Sequence, residues 1–122
     1  MSQYKAPLRD LEFVRNELLG MDSFYASNEQ WSEVSNDLTS AILEECAKFC
    51  ENVLTPLNSV GDEQGCTLKD GQVTTPDGFK EAYQQFVEGG WPSLEAAEEF
   101  GGQGLPKSLA LATTEMVGTS NW

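Results

Sequence analysis

At 122 residues the chain suits a single domain, one that can bury about two-thirds of its unfolded surface. Seven basic against 20 acidic side chains give a net charge of −13, which excludes the basic footprint that nucleic acids and anionic membrane surfaces require. With 39% hydrophobic and 10% aromatic residues it is no disordered acidic tail either, and its acidity reads as solubility.

Residues 1–7 read as extended, because Pro7 keeps Ala6 out of the helical region. A helix fits 8–19, with Leu8, Leu11, Val14, Leu18 and Leu19 as its stripe and Gly20 as its terminator. MDSFYASNEQWS, which follows, is a polar linker whose Phe24, Tyr25 and Trp31 would pin it to a neighbouring surface. The clearest element is 33–54. Val34, Leu38, Ala41, Ile42, Cys46, Phe49, Val53 and Leu54 mark one apolar face, interrupted by Glu45. Glu44 stands four residues before Lys48 as a helix ion pair, and Pro56 ends or kinks the helix.

Residues 57–75 break the helical rhythm and suggest a hairpin turning at Asp70-Gly71. Thr75-Pro76-Asp77 reads as the start of a helix with Thr75 as N-cap, an inner stripe of Phe79, Ala82, Tyr83, Phe86 and Val87, and a stop at Gly89-Gly90. Residues 91–100 hold at most a short helical turn. A last helix runs from Pro106 or Lys107 to about residue 120. Its shared face of Leu109, Ala112, Thr113, Met116, Val117 and Ser120 is small and weakly apolar, so something outside the chain is expected to cover it. The fold class expected is all-α: a bundle of about four helices with one short hairpin-like insertion near 66–75.

Chemistry is sparse. The chain has no histidine and no C-x-x-C, so zinc is not expected. Cys46, Cys50 and Cys66 are an odd count, which suggests buried free thiols in a reducing compartment. The opening MSQYKAPLRD has no apolar centre for a signal peptide, and no apolar run approaches a membrane span. Ser108 and the thiols have no histidine to activate them. Trp91, Phe86 and Phe100 read as core. Among the carboxylates, Glu98 and Glu99 read as solvated, Glu45 as an edge charge, and Glu115 as either a solvated helix charge or a pocket-lining acid.

GGQGLPKS, residues 101–108, is one residue away from a phosphate loop. Pro106 stands where that loop needs glycine, and proline has neither the N–H nor the freedom to cradle phosphate. The acidic EAAEEF before it replaces the buried strand the motif requires. The stretch reads instead as a tight loop between helices.

That loop also carries a resemblance. Gly90-Trp91, then Glu99-Phe100-Gly101-Gly102, Gly104-Leu105 and a helix bearing Glu115 resemble the N-terminal helical domain of acyl-CoA dehydrogenases. YKAPLRDLEFVRNELL, residues 4–19, and NVLTPLNSVGDEQGCTLKDGQVTTPDGF, residues 52–79, resemble the longer bacterial subgroup of the 3-methylmercaptopropionyl-CoA dehydrogenase type. The resemblance implies an N-terminal fragment. Residues 1–31 would be an extension and linker and 32–122 the helical core, without the family's middle β and C-terminal helical domains. The parent would be a cytoplasmic bacterial flavoprotein, a dimer or tetramer. It would use FAD to oxidise an acyl-CoA to the 2,3-enoyl-CoA and pass electrons to an electron-transfer acceptor. The flavin-binding residues and the catalytic base would lie outside this span, so the fragment alone is expected to bind no FAD and to be inactive. The last helix would line the acyl pocket, with Glu115, Thr113 and Met116 as candidates, and the missing domains and substrate would cover its small face. A free-standing acidic module that binds a protein partner is the alternative. It accounts for the charge but not for a match running through residues 4–121.

Overall fold

Two helices cross at the centre of the fold, and their buried faces make the core. The computed structural model describes residues 3–121, so Met1, Ser2 and Trp122 in the expected terminal segments lie outside the described residues. Helix α1 (Leu8–Glu12) runs into a π-helical turn, Phe13–Leu18, and α2 (Met21–Ala26) follows. Helix α3 (Asn36–Phe49) passes through a second π turn, Cys50–Leu54, directly into α4 (Thr55–Gln64). Strands β1 (Thr67–Lys69) and β2 (Gln72–Thr74) pair antiparallel with Leu68 opposite Val73, and α5 (Phe79–Glu88) and α6 (Lys107–Ser120) complete the chain. The mostly helical class and the hairpin at Asp70-Gly71 are as expected.

Leu43, Cys46, Ala47 and Cys50 of α3 and its π turn meet Leu109, Ala112 and Met116 of α6. Each large apolar side chain so buried contributes about 1.5–3 kcal/mol. This corrects two expectations. The small face of α6 is covered by α3 of the same chain, not by something outside it. The buried band of α3 is centred on Thr39, Leu43, Ala47 and Cys50, while Leu38 is 42% exposed. The reason is that α6 sets the centre of the band, and the flanking Ile42 and Phe49 fill its edge. Phe49 stacks on Phe86 at 6.2 Å and on Trp91 at 6.5 Å, tying α5 and the turn after it to α3. Phe100, by contrast, is 82% exposed and not core.

Three helix boundaries also differ from expectation. Helix continues through Pro56, one of the two outcomes expected there, and runs on to Gln64 through residues expected to break the helical rhythm. Proline lacks an N–H and clashes with the carbonyl four residues back, and the π turn absorbs both problems. Thr55 Oγ1 donates to the Cys50 carbonyl at 2.8 Å, satisfying an acceptor on the disturbed turn. Helix α5 begins at Phe79 with Gly78 as its N-cap at φ 84°, not at Thr75. The linker after Gly20 contains α2. Its Tyr25 is buried and bonds Ser108 Oγ at 2.5 Å, and Trp31 Nε1 donates to the Gly104 carbonyl at 3.2 Å, so these linker aromatics do pin it as expected.

The π turn in the first helix has a larger consequence. An extra residue in a helical turn rotates everything after it. Leu8 and Leu11 pack on the core, but Val14, Leu18 and Leu19 are thrown outward and Arg15 turns inward. The expected stripe therefore holds only for its first half.

Candidate active-site segment

Helix α6 is where the residues singled out for chemistry fall. Pro106 is its N-cap and is fully buried. The loop before it is closed on itself: Gly102 N–H donates to the Ala97 carbonyl, Gln103 to Ser93, Gly104 to Ala96 and Leu105 to Leu94, all within 2.9–3.1 Å. No N–H of residues 102–105 is left to face a ligand. A Cβ at Gly102 would lie 2.0 Å from the Ala96 carbonyl oxygen, so the glycine serves a backbone crossing, not a phosphate. The loop therefore does not fit the diphosphate of a flavin or of any nucleotide.

Thr113 and Met116 point inward and are buried. Thr113 Oγ1 donates to the Ala110 carbonyl at 2.8 Å, and the Thr113 carbonyl lies 3.9 Å from the Cys46 thiol. Glu115 lies on the opposite, exposed side, with Leu111 and Thr114. None of the described hollows is lined by any of the three candidates. The hollow linked to Glu115 by a hydrogen bond includes Thr119, whose hydroxyl donates to the Glu115 carbonyl. It is a polar hollow of about 360 Å³ between Tyr4, the Thr55–Ser59 stretch of α4 and the end of α6. Burial, with the charges of Glu115 and Glu51 among its further causes, pushes the Tyr4 phenol up to about 12.

One wall of that hollow is held by an ion pair that the sequence reading missed. Glu51 accepts from Lys5 Nζ at 2.8 Å and from the Ala6 N–H at 3.0 Å, clamping residues 5–6 to the second π turn. The signal was not local, since the partners lie 46 and 45 residues apart. Lys5 and the Ala6 N–H hold the Glu51 carboxyl below its ordinary value. A depressed carboxyl stabilises the fold above its unfolded pKa and loses that contribution as pH falls through the folded one. Protection of the Ala6 amide from hydrogen exchange, corrected for intrinsic rate, is therefore expected to fall as pH drops below the ordinary glutamate range. The same profile for Glu51→Gln is expected to be flat.

The remaining candidates behave as structure. Lys48 pairs with Glu45 at 2.5 Å, not with Glu44, and Glu45 is an exposed edge charge as expected. Cys46 and Cys50 are buried with their sulfurs 4.0 Å apart, and the hydrogen bond with Cys50 together with burial pushes the Cys46 thiol up. Cys66 is exposed. Among the described residues no helix is long and apolar enough to cross a membrane, and no group of three potential ligands converges to hold a metal.

No protein-family model matches the chain. Individual proteins do. It is 41% identical over 118 residues to the 3-methylmercaptopropionyl-CoA dehydrogenase of Ruegeria pomeroyi, a match covering 97% of this chain and 20% of that enzyme. It is 29% identical over 119 residues to the broad-specificity linear acyl-CoA dehydrogenase FadE5 of Mycobacterium tuberculosis, covering 96% of this chain and 19% of that one. With the butyryl-CoA dehydrogenase of Syntrophomonas wolfei it shares 32% over 90 residues, 71% of this chain and 15% of the relative. The chain spans a fifth or less of the length of these curated relatives. Along nearly its whole length it is therefore related to the acyl-CoA dehydrogenases, and it corresponds to an N-terminal segment of them.

Proposed function

We propose that these residues are the N-terminal helical domain of an FAD-dependent acyl-CoA dehydrogenase, residues 1–31 its extension and 32–122 its helical core. The parent removes hydrogen from the α and β carbons of an acyl-CoA, giving the 2,3-enoyl-CoA, with FAD as hydride acceptor. The observation that carries this reading is the 41% identity spread over 97% of the chain. The flavin and the catalytic base belong to the parts of the parent outside these residues, and the 122-residue segment alone is inactive. The parent is a soluble cytoplasmic oligomer that hands its electrons to an electron-transfer acceptor.

Within that enzyme α6 is one wall of the acyl pocket. Glu115, exposed beside Leu111 and Thr114, faces the acyl chain, and Thr113 and Met116 stiffen the wall from behind. The reading is tested on the product of the complete natural reading frame. Under anaerobic conditions its flavin absorbance bleaches on addition of a saturated acyl-CoA. A product without flavin, or flavin left oxidised by short, medium and long acyl-CoAs alike, overturns it.

The role of Glu115 has its own test. Glu115→Leu in the complete enzyme is expected to change the ratio of kcat/KM between long and short acyl-CoAs by about tenfold in favour of long chains, because a charge against a methylene chain is replaced by an apolar contact. An unchanged ratio removes Glu115 from the pocket wall.

A further inference from the structure

An apolar groove lies between α4, α5 and the end of α6. Leu57, Phe79, Tyr83, Phe86 and Val117 line it, and its volume is about 260 Å³. Tyr83 is 68% exposed, and Val87, one turn further along α5, is 47% exposed. A continuous apolar surface of this kind marks a contact with something else.

The end of α6 indicates what that is. Asn121 forms part of the groove's lining. It leaves the helix in extended backbone, φ −163° and ψ 110°, and its Nδ2 donates to the Leu54 carbonyl at 3.0 Å. That bond fastens the exit of the chain to the second π turn, beside Leu54, another groove residue. Whatever follows Asn121 therefore starts at the rim. A segment tethered there has an effective concentration that a free partner does not match. A second copy is disfavoured further, because each copy brings a net charge of −13. The relatives run about five times as long as this chain, so the parent has ample chain to place there.

We propose that the groove seats apolar side chains of the parent's own chain from beyond residue 122. Asn121 aims that segment, and the Leu54 carbonyl fixes its direction. The inference rests on the reading of this chain as the N-terminal part of a longer enzyme.

The test is hydroxyl-radical footprinting of the complete natural product, with modification at Tyr83 read by mass spectrometry. Flavin content and length are measured on the same sample. Tyr83 is expected to react at least about tenfold more slowly in the native enzyme than in the urea-unfolded one, as a covered side chain does. The ratio is expected to stay constant on dilution over about two decades of concentration, as an intramolecular contact requires. Free reaction of Tyr83 in a full-length, flavin-bearing enzyme overturns the inference while leaving the proposed function intact. Protection that disappears on dilution also overturns it and assigns the groove to a second copy. A natural product that ends at Trp122 without flavin overturns both. Asn121→Ala in the same enzyme is expected to raise Tyr83 reactivity severalfold, by loosening the aim of the segment. No change there removes Asn121 from the proposal.

Discussion

Gly102→Ala is expected to destabilise the fold by about 3 kcal/mol or more, among the largest effects of any single methyl group in this chain. The new Cβ would meet the Ala96 carbonyl oxygen at 2.0 Å, its carbon at 2.3 Å and the Ala96 Cβ at 2.5 Å. Two are backbone atoms and the third is a Cβ fixed to that backbone, so none can rotate away. Relief requires parting the two strands of the loop, and that breaks the bonds from residues 102–105 to residues 93–97. The loop also holds Pro106 at the start of α6 and receives Trp31, so the damage spreads to the packing of the N-terminal linker. Thermal unfolding followed by circular dichroism reads the loss. Gly101→Ala serves as the control. A Cβ there has nothing within 4 Å, and its cost comes only from its positive φ of 82°, about 1 kcal/mol. Equal effects at the two positions would show that the crossing at Ala96 is not what requires glycine.

Arg15→Leu is expected to raise stability, by about 2 kcal/mol. Arg15 is 6% exposed, and its Nε and Nη1 are buried with no hydrogen-bond partner among the described residues. A guanidinium in that state loses hydration without gaining a carboxylate, in a chain that has 20 of them. Leucine fills much of the same volume and leaves nothing unsatisfied. Chemical denaturation with the slope held common reads the gain. A fall in stability would mean that Arg15 has a partner in solution and that the inward turn of this side chain is favourable.

Arg15 also shows where the sequence stops being legible. The apolar repeat through Leu8, Leu11, Val14 and Leu18 has a helical period, and helix is what forms. The repeat does not show that the turn at Phe13–Leu18 takes one extra residue. That extra residue decides which side chains face inward. The same holds at Pro56, where the sequence allows an end or a kink and a π turn lets the helix continue. Short-range chemistry was readable: the Asp70-Gly71 turn, the stop at Gly20, and the denial of a phosphate loop by Pro106. Long-range pairing was not. Nothing local joins Glu51 to Lys5 or Asn121 to Leu54. The resemblance makes Glu115, Thr113 and Met116 pocket candidates together because it puts the last helix on the pocket wall. A helix sends neighbours in sequence to different sides, and here Glu115 faces outward while the other two face the core.

The most direct measurement is bound flavin, counted per chain, in the product of the complete reading frame and in residues 1–122 prepared alone, with circular dichroism confirming that each is helical. The account expects about one FAD per chain in the complete product and none in the 122-residue segment. FAD on the short segment would contradict it, because the account places the flavin site in the parts of the parent outside these residues. A complete product without FAD would contradict it more deeply, leaving the kinship with acyl-CoA dehydrogenases as one of fold and sequence without their chemistry.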